Sequence, residues 1–277
     1  MKLKNLDAII AAALKEDMPE GDITSESVIP ADSVSEAIIL AKEAGVLAGM
    51  DVARRVFKKI DPKVQFEKIF ADGQAFKSGD ILAKVKGNSI SLLKGERTAL
   101  NFLQRMSGIA TKTSRFVQMV RGTRTKILDT RKTTPTLRLL EKYAVKMGGG
   151  KNHRFGLSDM VLLKDNHLRL VGSIAEAVRK AKEKVKPGTK IEVEVTNFDE
   201  AKEAVEAGAS MIMLDNMSLR KMKEVLCWLK GKVPVEVSGK VTLRRARQIA
   251  SLGVDYISVG GLTHSFISVD ISIEFMD

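Results

Sequence analysis

Basic side chains gather in one stretch of this sequence, DTRKTTPTLRLLEKYAVKMGGGKNHR at residues 129–154, and just beyond it. Such cations can neutralise a ligand that carries more than one carboxylate or phosphate, and arginine offers paired donors that match a carboxylate. The alternative is a solvated surface on which each cation pairs with a nearby acid. The cations are Arg131, Lys132, His153, Arg154 and Lys164.

Two carboxylates, Glu194 and Asp215, end apolar runs further along the chain. They can hold sugar hydroxyls or a Mg²⁺ that binds a pyrophosphate. They could instead form a general acid–base pair, although the surrounding cations argue against a neutral sugar substrate. We expect Glu192, the other acid of the EVEV run, to point to the opposite side.

Two glycine-containing turns offer backbone N–H groups to an anion, an arrangement that late barrel strands often use for phosphate. Their residues are Ser238, Gly239, Lys240, Val259, Gly260 and Gly261. The three glycines at 148–150 follow a helical segment, and we expect at least the first to cap it. Shaping a pocket is their other possible role.

Six apolar runs must position these groups, because they alternate with helical segments from residue 126 onward. Runs that are apolar on both faces and alternate with helices indicate parallel strands covered by helices. The carboxyl ends of such strands open on one face of an α/β barrel, where active sites form. We therefore predict an α/β fold with an incomplete (β/α) barrel of about six parallel strands. A doubly wound sheet is the alternative, but its GxGxxG motif is missing. The runs are 126–130, 160–165, 190–195, 211–216, 233–239 and 256–261.

The first hundred residues follow a different pattern. Helical spacing in MDVARRVFKKI and short strands separated by DG, SG and GN turns predict an α+β domain made mostly of sheet, with antiparallel hairpins. A long helical segment, GERTALNFLQRMSGIATKTSRFVQMVRG, leads to the second part. The predicted domains are 1–105, the α+β domain, and 106–277, the barrel, with the last few residues able to pack back on the first domain.

Composition narrows the choice of partner. The 277 residues carry a net charge of +12, which favours a polyanionic partner. Only 5% of residues are aromatic, so base-stacking platforms are not expected and a small phosphorylated molecule is preferred to nucleic acid. The apolar runs are too short to cross a bilayer. The lone Cys227 fits a reducing cytoplasm and is expected to be buried in its helix. The three histidines lack zinc-site spacing.

Several ordered motifs closely resemble those of the quinolinate phosphoribosyltransferases, also called nicotinate-nucleotide pyrophosphorylases (carboxylating). The resemblance implies transfer of phosphoribose from phosphoribosyl pyrophosphate to the ring nitrogen of quinolinate with loss of CO₂. The products would be nicotinate mononucleotide and pyrophosphate, in de novo NAD biosynthesis. It also implies a two-domain fold, with an N-terminal α/β sandwich and an incomplete barrel, and Mg²⁺. It further implies a homodimer or higher assembly in which Arg97 completes the partner's site. The motifs are DTRKTTPTLRLLEKYAVKMGGGKNHRFGLSDMVLLKDNHL, GERTALNFLQRMSGIAT, EVEVTNFDEA, MIMLDNMS, EVSGKV, VGGLTHS and EDMPEGDIT.

The resemblance further implies residue roles. The quinolinate carboxylates would be bound by Arg97, Arg131, Arg154 and Lys164, with Lys132 and His153 beside them. Glu194 and Asp215 would hold the ribose hydroxyls, partly through Mg²⁺. Thr130 and the turns 238–240 and 259–261 would hold phosphates. The implied catalytic residues are Lys132, Lys164, Glu194 and Asp215. Two positions depart from the family pattern, Lys240 in place of a more usual glycine and Gly261 in place of alanine.

Three other interpretations stay open. ModD-like proteins of molybdate operons share the TRKT and glycine–His-Arg motifs, but the KDNH segment at 164–167 favours the quinolinate enzymes. A nicotinate-specific transferase would need fewer cations. A basic nucleic-acid-binding barrel would spread its cations over an outer face instead of gathering them in a cleft.

Overall fold

The computed structural model describes residues 5–276, which divide into two compact units. The first comprises residues up to 114, together with 133–149 and the residues from 262 onward. The second comprises 115–132 and 150–261. Three segments of the predicted barrel domain, 106–114, 133–149 and the residues from 262 onward, therefore belong to the first unit. In chain order the elements are α1 (Leu6–Asp17), α2 (Ile23–Val28), β1 (Val34–Ala41), β2 (Gly45–Val46), α3 (Met50–Ile60), β3 (Gln65–Lys68), β4 (Ala75–Phe76), β5 (Ile81–Asn88), α4 (Ser89–Met119), β6 (Lys126–Leu128), α5 (Arg138–Met147), β7 (Val161–Leu163), α6 (Asp165–Val171), α7 (Ile174–Lys184), β8 (Ile191–Val195), α8 (Phe198–Glu206), β9 (Met211–Asp215), α9 (Leu219–Leu229), β10 (Val235–Ser238), α10 (Leu243–Ala250), β11 (Tyr256–Ser258), α11 (Gly261–His264) and β12 (Ile271–Phe275).

The first unit contains an antiparallel sheet of four strands in the order β12-β1-β5-β3. Along β1 every second residue from Ala37 is buried, as expected for a strand with one face on a core. The predicted antiparallel pairing is present between β3 and β5, whereas β4 pairs with β2 rather than with its neighbours in sequence. Because β12 pairs with β1, the end of the chain belongs to this unit.

The second unit contains a sheet of six parallel strands in the order β6-β11-β10-β9-β8-β7. From β7 to β11 each strand pairs with the next along the chain, while β6 pairs with β11, as the first and last strands of a barrel do. Strands β6 and β7 form the two edges, so the ring is incomplete. The predicted fold is confirmed. Helix α6 lies in a segment for which no helix was predicted.

Four helices of this unit begin with a side-chain cap. In each, the oxygen of the capping residue accepts a backbone N–H from the first turn, which satisfies a donor that the helix itself leaves unpaired. These caps fix where the chain turns from the strand ends into the helices. They are Ser173, Asn197, Ser218 and Thr242, for α7, α8, α9 and α10.

Two predictions about single features have outcomes in the fold. Over residues 5–276 none of the helices has the length and apolar character to span a membrane. Cys227 is exposed on α9, so the prediction of its burial is wrong. The buried face of α9 is formed by Met222, Val225 and Leu229, and Cys227 lies off that face.

Candidate active site

The carboxyl ends of the six parallel strands bring most of the predicted site residues to one rim of the second unit. Because all six strands run the same way, the residue that follows each strand emerges on the same side. His153 and Arg154 join this rim because Lys151 pairs with Leu128, the last residue of β6. The residues at the strand ends are Thr130, Arg131, Lys132, Lys164, Glu194, Asp215, Ser238, Gly239, Lys240, Val259, Gly260 and Gly261.

Two guanidinium groups lie close enough to influence each other. Burial and the nearby Arg131 guanidinium lower the pKa of Arg154. Arg154 is tied to the loop before β7, where its Nη1 donates to the Met160 carbonyl over 3.1 Å. Because two like charges held together are stabilised by an anion between them, this pair suits a ligand with two negative charges.

Lys164 forms an ion pair with Glu194. Its Nζ lies 3.0 Å from Glu194 Oε2, and the lysine side chain is 44% exposed. An ammonium group has three N–H donors, so an incoming carboxylate can bind the exposed side of Lys164 while the ion pair with Glu194 is kept.

Asp215 is held at the end of β9 by its neighbour. Asn216 adopts a left-handed backbone (φ 51°) and its Nδ2 donates to Asp215 Oδ2 over 2.6 Å. The Asn216 N–H donates to the Ser238 carbonyl over 3.1 Å, which ties this turn to the end of β10. Glu194 and Asp215 thus present carboxylate oxygens from adjacent strands, the kind of ligand that Mg²⁺ prefers.

The predicted phosphate turns differ in what they can offer. The Val259 N–H donates to the Leu128 carbonyl over 3.0 Å and so belongs to the sheet. Gly239 has a φ of 97°, and Lys240, the departure from the family pattern, also lies in the left-handed region at 45°. Thr130 Oγ1 accepts the Lys132 N–H over 3.0 Å, which folds the loop back after β6.

Gly148 and Gly149 have structural roles in the first unit, and Gly150 belongs to the second. Gly148 is the C-terminal cap of α5, and Gly149 follows with a φ of 85°. A Cβ on Gly148 would lie 2.3 Å from the Ala110 carbonyl oxygen, so close packing on α4 also requires a glycine there. Arg97 is exposed on α4 in this unit.

A cluster of acids below the rim was not predicted. His153 Nε2 lies 3.0 Å from Glu192 Oε2 and 3.3 Å from Glu236 Oε2. The expectation that Glu192 points away from Glu194 is wrong, because residues two apart in a strand share a face. The sequence carried a signal, since an acid inside an apolar strand, as in EVEV and PVEVSG, needs a partner.

The protonation of this cluster follows from its burial. Burial lowers the pKa of His153, but the hydrogen bonds to Glu192 and Glu236 outweigh it and raise that pKa above its usual range. Burial raises the pKa of Glu192, and His153 opposes that shift. The Arg154 N–H donates to His153 Nδ1 over 2.8 Å, an arrangement that requires a neutral ring and so opposes the raised pKa. The single ring proton then lies on Nε2, facing the carboxylates.

Comparison with known proteins agrees with this geometry. The sequence profile of the quinolinate phosphoribosyl transferase N-terminal domain matches residues 22–107, and that of the C-terminal domain matches residues 109–274. The chain belongs to the quinolinate phosphoribosyltransferase family. The family predicted from the motifs is confirmed, and with it the enzyme class, a phosphoribosyltransferase.

Individual members of the quinolinate phosphoribosyltransferase family are similar over nearly the whole chain. A probable nicotinate-nucleotide pyrophosphorylase [carboxylating] from Bacillus subtilis is 43% identical over 94% of this chain and 89% of its own. A chloroplastic nicotinate-nucleotide pyrophosphorylase from Arabidopsis thaliana is 40% identical over 98% of this chain and 82% of its own. The crystal structure of NadC from Streptococcus pyogenes, 42% identical, superimposes with a TM-score of 0.95 over 100% of both chains.

Proposed function

We propose that this chain transfers phosphoribose from phosphoribosyl pyrophosphate to the ring nitrogen of quinolinate and releases CO₂. The products are nicotinate mononucleotide and pyrophosphate, as the family resemblance implies. The observation that carries the proposal is the proximity of Arg131 and Arg154 at the rim where Lys164 also emerges. Three cations at one rim match a pyridine that bears two carboxylates better than one that bears a single carboxylate.

The cations orient the substrate for attack. With its carboxylates bound by Arg131, Arg154 and Lys164, the pyridine nitrogen can face the anomeric carbon of phosphoribosyl pyrophosphate. The nitrogen lone pair forms the new N–C bond while pyrophosphate leaves with the electron pair of the C–O bond. The positively charged ring then accepts the electron pair of the C–CO₂ bond as CO₂ departs, and the ring carbon takes a proton from water.

Glu194 and Asp215 are the residues that would hold Mg²⁺ and the ribose hydroxyls. Both are carboxylates at the ends of adjacent strands, and Glu194 is 13% exposed, so oxygen donors face the rim. A bound Mg²⁺ supplies charge stabilisation to a leaving pyrophosphate. Thr130 and the turns at 238–240 and 259–261 are the proposed phosphate contacts, and Lys132 and His153 lie beside the proposed quinolinate site. The turn at 238–240 precedes α10, whose N-terminus favours an anion.

We also propose that copies of this chain assemble as homodimers or larger, in the cytoplasm, with Arg97 completing the site of a partner subunit. Exposure of Arg97 on α4 supports a role outside its own subunit. To check this, subunits with Arg97→Ala and subunits with Lys164→Ala, each inactive, are mixed under conditions of proven subunit exchange. Recovery of part of the activity is expected, and an inactive mixture would remove Arg97 from a shared site.

The reaction is tested by incubating the protein with phosphoribosyl pyrophosphate, Mg²⁺ and either quinolinate or nicotinate. Chromatography of nicotinate mononucleotide and trapping of CO₂ report the product. Product from quinolinate, with CO₂ released in equal amount, is expected. Product from nicotinate alone would refute the choice of substrate, and no product from either would refute the reaction class.

The cation pair is tested by Arg131→Ala, with Arg220→Ala on the exposed surface of α9 as the matched control. We expect Arg131→Ala to lower kcat/KM for quinolinate by at least about 100-fold, since a charged hydrogen bond to substrate is worth roughly 1.5–3 kcal/mol and orientation is lost as well. Thermal unfolding should not change. Equal rates for the two variants would remove Arg131 from the site.

A further inference from the structure

Three fully buried acids lie beneath the segment that carries His153 and Arg154. They come from three different places in the second unit, Asp129 after β6, Glu192 in β8 and Glu236 in β10, and each is 0% exposed. A buried carboxylate is costly unless it is hydrogen-bonded, so each is expected to have a structural or functional partner. Their partners converge on residues 152–154.

Glu236 is held on one side and directed at His153 on the other. The Ser258 hydroxyl on β11 donates to Glu236 Oε1. The other oxygen, Oε2, lies 3.3 Å from His153 Nε2. The carboxylate is therefore anchored to a neighbouring strand and its second oxygen faces the imidazole.

His153 in turn fixes the backbone of Arg154. Its Nδ1 accepts the Arg154 N–H over 2.8 Å, while its own N–H donates to Asp129 Oδ1 over 2.9 Å. Asp129 Oδ2 also accepts from the Asn152 side chain. The peptide groups on both sides of His153 are thus tied to buried groups, and the Arg154 side chain starts from a fixed point.

We propose that Glu236, anchored by Ser258, is a positioning residue for quinolinate recognition, acting through His153 on Arg154. The inference rests on the proposed function and extends it to a residue that does not reach the rim. A displacement of about 1 Å in a substrate-orienting group can cost about 100-fold in rate. Loss of the Glu236 contact should therefore weaken use of quinolinate while leaving phosphoribosyl pyrophosphate binding intact.

A competing role for the same groups is a divalent metal site, because His153, Glu192 and Glu236 place one ligand atom each within 4.8 Å of one another. The proton on Nε2 already links the imidazole to Glu192, and this favours the positioning role. The metal role remains an outcome of the test.

The test is a double-mutant cycle between Glu236 and His153. Alone, Glu236→Ala should lower kcat/KM for quinolinate by about 10- to 100-fold, with KM for phosphoribosyl pyrophosphate unchanged. In a His153→Ala background the same change should have less than about a twofold effect, because the contact it acts through is already gone. Glu236→Gln should retain part of the activity, since its carbonyl can still accept the Nε2 proton. Glu224→Gln, on the exposed face of α9, is the matched control and should behave as wild type.

Additive losses in the cycle, or parallel changes in KM for both substrates, would show that Glu236 serves stability alone and would overturn the proposal. Stoichiometric transition metal in the purified protein, lost on Glu236→Gln, would overturn it in favour of a metal site. If Glu236→Ala does not fold, Ser258→Ala and Glu236→Gln supply the cycle with smaller expected losses.

Hydrogen exchange separates this inference from the proposed reaction. Should the wild-type protein show no transferase activity, the amide of Arg154 still reports the contact. We expect faster exchange at Arg154 in Glu236→Ala than in wild type, with the amides of α9 unchanged. Equal exchange at Arg154 in the two proteins would overturn the positioning role whatever the reaction.

Discussion

At Gly239, both the backbone conformation and the neighbouring Asn216 disfavour any residue larger than glycine. Its φ is 97°, and a Cβ there would lie 2.2 Å from Asn216 Oδ1 and 2.9 Å from the Asn216 backbone nitrogen. The side chain of Asn216 can turn away, but its backbone nitrogen cannot move without shifting the end of β9. Gly239→Ala should therefore displace the turn that holds Asp215.

The cost can be worked out in two parts. An alanine in this backbone region costs about 1–3 kcal/mol. Loss of the hydrogen bond from Asn216 to the Asp215 carboxylate adds about 1.5–3 kcal/mol. Gly253→Ala is the matched control, because Gly253 has a φ of 83° and its Cβ would meet nothing within 4 Å. Gly253→Ala should therefore lose stability only through the backbone strain, without loss of a hydrogen bond.

Urea and thermal unfolding measure the difference, which we expect to be about 1.5–3 kcal/mol, or roughly 3–12 °C in Tm. Because Asp215 is a proposed Mg²⁺ ligand, Gly239→Ala should also raise the Mg²⁺ concentration needed for half-maximal activity, and Gly253→Ala should not. Equal stability of the two variants, or an unchanged Mg²⁺ requirement in Gly239→Ala, would refute the assignment of this turn.

Three more predictions concern Lys240, Arg105 and Asp215. Lys240→Gly should raise the free energy of unfolding by up to about 1 kcal/mol. Glycine removes the strain of a lysine in the left-handed region, but it also increases the conformational entropy of the unfolded chain, which offsets part of the gain. Arg105→Met should lower it by about 3–5 kcal/mol, because Glu141 is fully buried against this arginine. Asp215→Asn should lower the free energy of unfolding by about 1 kcal/mol, because Asn216 then donates to a neutral oxygen, and should raise the Mg²⁺ requirement at least tenfold, since the metal loses a charged ligand. Denaturant unfolding checks the first two and Mg²⁺ titration of activity the third.

Each of these three predictions has a control variant or a result that would contradict it. Lys230 shares the φ of 45°, so Lys230→Gly should stabilise equally, and only Lys240→Gly should alter KM for phosphoribosyl pyrophosphate if Lys240 contacts a phosphate. Arg105→Met combined with Glu141→Gln should recover part of the lost stability, and no recovery would contradict the unpaired-charge explanation. Removal of Mg²⁺ by EDTA should abolish the activity of the wild-type enzyme, and added Mg²⁺ should restore it. Activity in excess EDTA would contradict a role for Mg²⁺.

The barrel was predictable because each of its strands and helices can be recognised from a short stretch of sequence. Each strand from β6 to β11 is a short apolar run followed by a polar group, and helices such as α8 and α10 open with Asn197 and Thr242 in capping positions. The rim followed from the parallel direction of the strands alone. Identification of the individual roles came from motif resemblance rather than from spacing.

Long-range pairing and side-chain direction were harder to predict. Nothing in the sequence near Ala75 indicates that β4 pairs with β2, because this choice depends on contacts between distant segments. The return of the last residues to the first unit was predicted, but its partner strand, β1, was not. The cluster around His153 needed the fold as well, since Glu192 and Glu236 belong to strands separated by β9 in the sheet. The alternation rule alone would have placed Glu192 beside Glu194.

The pairing of β12 with β1 has a consequence for how the protein is made. Strand β1 leaves the ribosome early, yet it has no partner on one side until residues 271–275 have been synthesised. Domains usually fold as units, from the N-terminus onward, during translation. Here the nascent chain must keep that edge of β1 unpaired while the strands of the second unit emerge. An exposed strand edge is a template for pairing with other chains, so β1 is most open to pairing with another chain in the interval before residues 271–275 have been synthesised.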